Sequence, residues 1–156
     1  FVPDGDYVHF LREYGGVDLT PGDFVDRDGH VLGRHKGLPC YTTGQRKGLG
    51  VSAGKHVYVL GKNAADNTIL LGDDQDLFTS DLTANRVNWI SGEPPAAPLR
   101  VTAKTRYSQT EAAATVTPLP DGRIRVTFDT PQRAITAGQA VVLYQDEVTL
   151  GGGTIE

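Results

Sequence analysis

Six short runs rich in strand-forming residues recur through the second half of the chain at spacings near ten residues, and nothing else in it narrows the fold as far. The runs are 86–90, 99–105, 112–117, 123–128 and 140–144, with a sixth at 147–150 just ahead of Gly151-Gly152-Gly153. Val, Thr and Ile suit the pleated, half-buried surface of a sheet, and the connections carry turn chemistry, as at Pro120-Asp121-Gly122. Consecutive strands leave two exposed edges unless the sheet closes on itself. The spacing therefore predicts a six-stranded β-barrel across residues 74–156.

The first half reads differently. Asp4 or Asp6 can cap a short helix in which Tyr7, Phe10, Leu11 and Tyr14 share one face and Gly15-Gly16 supply the stop. Past the turn sequence Thr20-Pro21-Gly22-Asp23, Phe24-Val25-Asp26 and His30-Val31-Leu32 flank Arg27-Asp28-Gly29, a hairpin announced by its Asp-Gly pair. A second hairpin joins 56–60 to 68–71 across the polar loop 62–67. Gly72-Asp73-Asp74-Gln75-Asp76 is acidic and poor in apolar residues, as a linker between domains is. The expected architecture is mainly β: a small central β domain with an N-terminal helix at 1–73, then the C-terminal barrel at 74–156, without internal repeat or heptad.

Nineteen glycines and nine prolines in 156 residues fit a chain of many tight turns. Cys40 is the only cysteine, which rules out an internal disulfide or a cysteine-rich zinc site, and the histidines lack ligand spacing, so no metal is expected. No apolar run approaches the roughly 18 residues that cross a bilayer, and there is no charged-then-apolar leader. A soluble, cytoplasmic, monomeric protein without a membrane partner is expected. The chain has no methionine and opens on Phe1-Val2-Pro3, which reads as a fragment of a longer protein.

The formal net charge of -4 argues against nucleic acid only if charge is spread evenly, and it is not. From Gly29 to Ala65 there is no Asp or Glu, while Arg34, Lys36, Arg46, Lys47, Lys55 and Lys62 all fall in that window. At its centre, Tyr41-Thr42-Thr43-Gly44-Gln45-Arg46-Lys47-Gly48-Leu49-Gly50 sets an amide and two cations between glycines, as a polyanion site requires. A second acid-free window, 94–110, holds Arg100, Lys104 and Arg106 with Tyr107 beside the last. An arginine next to an aromatic ring suits unpaired RNA, one side chain holding phosphate and the other stacking on a base.

Two other motifs read as ordinary structure. Gly48-Leu49-Gly50-Val51-Ser52-Ala53 satisfies a loose dinucleotide fingerprint, but that loop must open a helix, and 55–60 reads as a strand. Cys40 stands near Arg34, His35 and Lys36, which favours a thiolate, yet no third group orients the pair; a lone cysteine between proline and tyrosine is more often a small packed apolar side chain.

Several motifs in order resemble the tRNA-specific 2-thiouridylase family along essentially the whole chain. They are Phe1-x-Pro3-x-Gly5-Asp6-Tyr7-x-x-Phe10-Leu11, the segment from Gly33 to Gly50 with Thr43-Gly44-Gln45-Arg46-Lys47-Gly48-Leu49-Gly50, Val87-Asn88-Trp89-Ile90, Lys104-Thr105-Arg106-Tyr107, and Gly138-Gln139-Ala140 through to Gly151-Gly152-Gly153-x-Ile155. The resemblance implies a parent enzyme, a tRNA-uridine 2-sulfurtransferase, that activates the wobble uridine of tRNA with ATP and magnesium in an N-terminal domain and delivers sulfur from a cysteine persulfide. That cysteine is implied just before Phe1, so no catalytic residue or cofactor is expected in this chain, and a sulfur-donor protein is expected to meet the missing domain. The resemblance also implies a barrel like the second domain of translation elongation factors. By position it assigns tRNA contact to Arg106, Tyr107 and Gln139, and it places Gln45, Arg46 and Lys47 in the family's glycine-rich signature. Pro39-Cys40 departs from some relatives there.

Three readings follow. The first is the tRNA-binding central and C-terminal part of a thiolating enzyme, inactive when isolated. The second is a free-standing RNA-binding or translation-factor-like β module without chemistry. The third is a small thiol hydrolase using Cys40 and His35.

Overall fold

The computed structural model describes residues 19–52 and 54–156; the helix expected at the start lies outside them. The protein is mainly β and divides into two compact units between Leu77 and Phe78.

The first unit is a four-stranded sheet made of β1 (Gly22–Val25), β2 (Val31–His35), β3 (Tyr58–Asn63) and β4 (Thr68–Gly72) in the order β2-β1-β4-β3. Both expected hairpins form, β1 with β2 and β3 with β4, and β1 runs parallel to β4 where they meet. The Asp-Gly turn closes for a visible reason. Asp26 Oδ1 accepts from the backbone N–H of Asp28 at 2.9 Å and of His30 at 2.8 Å, while Gly29 takes the left-handed φ of 85° that other residues resist. Alternation along the strands buries Phe24, Val59, Ile69 and Leu71 on one face. The rest of this core, Tyr41, Leu49 and Val57, comes from the long connection between β2 and β3.

The second unit is a closed barrel of β5 (Phe78–Trp89), β6 (Leu99–Lys104), β7 (Ala112–Pro118), β8 (Ile124–Arg133), β9 (Ala140–Gln145) and β10 (Val148–Ile155), ordered β10-β5-β8-β7-β6-β9 around the ring. The β9–β10 pairing shuts the seam, so the sheet has no free edge. Inward residues from all six strands form one core, with Ala84, Val116, Ile124, Val126, Val141 and Leu143 fully enclosed.

Three strands run several residues beyond the sequence runs. β5 starts at Phe78 rather than at 86, through the polar stretch Thr79-Ser80-Asp81, and Leu82 and Ala84 point inward before a bulge at Arg86, whose φ is 48°, shifts the parity to Val87 and Trp89. β8 continues beyond Phe128 to Arg133 and pairs Gln132 with Thr79 after an irregular stretch. β10 runs through Gly151-Gly152-Gly153 instead of ending before it. Close approach explains those glycines: a Cβ at Gly151 would fall on the carbonyl oxygen of Asn88, and one at Gly152 on that of Val141.

Candidate nucleic-acid interface

Cations that look alike in the sequence separate into two kinds in space. Acidic residues from outside the first window fold back onto it, placing Lys55 Nζ 2.8 Å from Asp73 and Arg34 Nε 3.7 Å from Asp23. In the second window Arg100 makes a two-pronged bond to Asp129 at 2.8 and 2.6 Å, and Lys104 lies 3.4 Å from Glu111. Glu111 is held below the ordinary carboxylate range, first by the Thr102 hydroxyl at 2.7 Å and then by Lys104. Arg46, Lys47 and Arg106 have no carboxylate partner among the described residues; nor do Lys36 and Lys62.

Arg106, Tyr107 and Gln139 come together. The first two sit on the connection after β6 and the third on the turn before β9, and register places these ends side by side, since Lys104 pairs with Val142. With Lys104, Val142 and Tyr144 they line a cleft of about 450 Å³. Its floor is the outer face of β9. There Val142 and Tyr144 alternate with the inward Val141 and Leu143, and Lys104 Nζ lies 5.5 Å from the centre of the Tyr144 ring. Tyr107 is 103% exposed, a ring held wholly in solvent at the mouth. Arg106 is anchored from behind: Nη2 donates to the Ala134 carbonyl at 2.8 Å and reaches Thr136 Oγ1 at 3.4 Å. Arg106 Nε and Gln139 Oε1 are enclosed without a hydrogen-bond partner among the described residues, one donor and one acceptor at the same cleft. The sequence reading missed Tyr144 and Val142, whose only signal was that the outward positions of this strand are large and partly apolar.

The glycine-rich loop is built otherwise. Gln45 spends its side chain on the loop itself: Oε1 accepts from Thr42 N–H at 3.0 Å and Nε2 donates to the Lys47 carbonyl at 3.0 Å. Its backbone pins the loop to β3, Gly44 N–H to the Val59 carbonyl at 2.8 Å and Val59 N–H to the Gln45 carbonyl at 2.9 Å. Leu49 is buried below, and Arg46 and Lys47 stand exposed above. The loop thus displays two cations from a rigid turn, with Gln45 as its internal brace.

The remaining motifs fit neither of the other chemistries considered. After Gly50 the chain runs irregularly into β3, and no α-helix N-terminus among the described residues offers backbone N–H groups to a pyrophosphate. His35 is 1% exposed, its Nδ1 accepts from Gly37 N–H at 3.0 Å and its Nε2 lies 3.0 Å from the Asn67 carbonyl. Both ring nitrogens are committed to backbone, so His35 has none to offer Cys40 as a base. Cys40 packs half-buried against the first unit's core. Asp26, Asp28 and His30 bring ligand atoms within 4.8 Å of one another, but Asp26 is occupied by the turn it caps. No helix among the described residues is long and apolar enough to cross a membrane.

Comparison with known proteins matches each unit to a family description. Residues 8–73 match the tRNA methyl transferase PRC-barrel domain, and residues 79–155 match the Aminomethyltransferase beta-barrel domain. The chain is 49% identical over 156 residues to a tRNA-specific 2-thiouridylase MnmA of Acetivibrio thermocellus, covering all of this chain and 44% of that protein. It is 50% identical over 164 residues to the MnmA of Desulfitobacterium hafniense and 47% identical over 156 residues to an MnmA of Clostridium botulinum, again spanning 44% of each. The chain therefore spans less than half the length of these relatives. With both units matched in order and nearly half of all positions shared, the chain belongs to the tRNA-specific 2-thiouridylase family, of which it carries the PRC-barrel and β-barrel domains.

Proposed function

We propose that this chain holds tRNA for a 2-thiouridylase whose chemistry resides in a segment outside it. The observation that carries the proposal is the cleft at the β6–β9 rim, where Arg106, Tyr107 and Gln139 meet Lys104 and Tyr144. A solvent-held ring, an aromatic floor and cations beside them are what an unstacked base and its phosphate require. Arg46 and Lys47 add a second, purely electrostatic contact on the first unit, positioning backbone phosphate without reading sequence. On this reading ATP with magnesium, which would activate the uridine C2 position toward a cysteine persulfide, and the docking of a sulfur donor fall to the part of the parent protein outside this chain, for which the greater length of the relatives leaves room. This chain's residues bind and orient the tRNA, and alone it is expected to be inactive.

Mass spectrometry of tRNA from cells lacking the parent gene tests the assignment. Wobble uridines should lose their 2-thio groups, and a Tyr107→Ala copy of the gene should restore them less fully than the wild type. Unchanged thiolation in the deletion strain would remove the enzyme assignment altogether.

A further inference from the structure

We infer that Gln109 and Gln132 are positioning residues that hold the Arg106-Tyr107 loop at the cleft through a directional relay of side-chain amides. The inference rests on the cleft being a tRNA interface. Tyr107 is wholly exposed, so no packing of its own ring fixes where it stands; its place depends on how the loop backbone is tied. Thr105, at 2% exposure, marks the point where the loop leaves the barrel core. Its backbone N–H and its hydroxyl both donate to Gln109 Oε1, at 3.3 and 2.8 Å. Gln109 Nε2 then donates to Gln132 Oε1 at 2.7 Å, and Gln132 Nε2 to the Thr130 carbonyl at 2.7 Å.

The direction of the relay is forced at both ends. A backbone N–H can only donate and a backbone carbonyl can only accept, so Thr105 and Thr130 between them fix the orientation of both amides. Gln109 N–H also closes the loop on the Arg106 carbonyl at 3.2 Å. Gln132 lies where β8 resumes its pairing, opposite Thr79, two residues before the Ala134 carbonyl that anchors the Arg106 guanidinium. The loop carrying Arg106 and Tyr107 is thus tied twice to one stretch of chain, by the guanidinium and by the amide relay. Losing either amide leaves the other with an unpaired group and frees the loop to sample positions in which the ring no longer flanks the cleft.

The test uses the full-length protein and combines hydrogen exchange with binding of a tRNA transcript bearing a wobble uridine. Gln109→Ala should speed exchange in the peptide spanning 104–110 by about two- to tenfold, as loss of one net hydrogen bond does, with β7 peptides unchanged as a folding control. Gln132→Ala should do the same from the other strand, which separates a broken relay from a misfolded loop. Each should raise the Kd for the transcript by about two- to tenfold, the pair together no more than either alone, and neither should matter once Tyr107→Ala is present. Unchanged exchange in 104–110 would overturn the relay. If Tyr107→Ala weakens binding while Gln109→Ala does not, the positioning role falls and the cleft stands. If Tyr107→Ala has no effect, the cleft reading falls and the positioning role with it.

Discussion

Single residues here carry roles that their chemical type does not announce. His35 resembles a base beside a thiol in the sequence, but in the structure its ring sits edge-on to Phe24 and Tyr41, with centroids 5.6 and 6.0 Å away. Its nitrogens join the start of the β2–β3 connection to the turn before β4. Gly37 can only donate and the Asn67 carbonyl can only accept, which makes Nδ1 the acceptor and Nε2 the donor. Nitrogen NMR should show the ring proton on Nε2. His35→Phe keeps the ring volume yet orphans both backbone groups, so it should destabilise the first unit by about 1–3 kcal/mol per group left unsatisfied, read by urea unfolding; an unchanged midpoint would return His35 to the list of available bases. Gln45 makes a parallel case. Its brace geometry predicts that Gln45→Ala loosens the loop while leaving in place the share of the salt dependence that the tRNA-binding proposal gives to Arg46 and Lys47.

At the scale of elements, the turns were legible in the sequence and the irregular strands were not. Asp28-Gly29 and Pro120-Asp121-Gly122 signal their hairpins because only certain residues tolerate such backbone angles, and Gly122 indeed takes φ 80°. The start of β5 was hidden because Thr79, Ser80 and Asp81 are polar and the register shifts between Thr79 and Asp81, and the bulge at Arg86 breaks the alternation that marks a strand. The triple glycine looked like a terminator because glycine usually is one; here neighbouring carbonyls leave no room for a side chain. Gly152→Ala should therefore cost about 1–3 kcal/mol by overpacking. By contrast Gly61→Ala in β3, where nothing lies within 4 Å of the added carbon, should stay within about 0.5 kcal/mol. Acid acts on the barrel's outer face. The Arg100 guanidinium holds Asp129 below its ordinary value of 3.8, so this pair's contribution is present above that value and is lost as pH falls through the lowered one. Urea midpoints should converge for wild type and Asp129→Asn below that window and separate above it, and parallel curves at all pH values would show the pair to be inert.

For the whole molecule, the proposed tRNA-binding reading gives each unit its own kind of surface, and that difference is measurable. The sequence exposed both patches as acid-free windows, but it did not show that Arg34, Lys55, Arg100 and Lys104 would be taken by carboxylates brought in from elsewhere, leaving Lys36, Arg46, Lys47, Lys62 and Arg106 without one among the described residues. Nor did it reveal Tyr144, whose place at the cleft follows from the β6–β9 register. On the first unit, Arg46 and Lys47 stand exposed on a braced turn, so on that reading their contribution is counterion release. Replacing both with alanine should lower the slope of log K against log salt by about one unit for each phosphate that is no longer neutralised. On the second unit, the same reading has Tyr107 act by stacking, which salt barely touches, so Tyr107→Ala should cost about 1–3 kcal/mol at every ionic strength. Filter-binding titrations of the full-length protein across a salt series measure both quantities together. A salt slope that shifts with Tyr107→Ala, or fails to shift with the double alanine change, would mean that the division of labour between charge and stacking runs otherwise than this geometry requires.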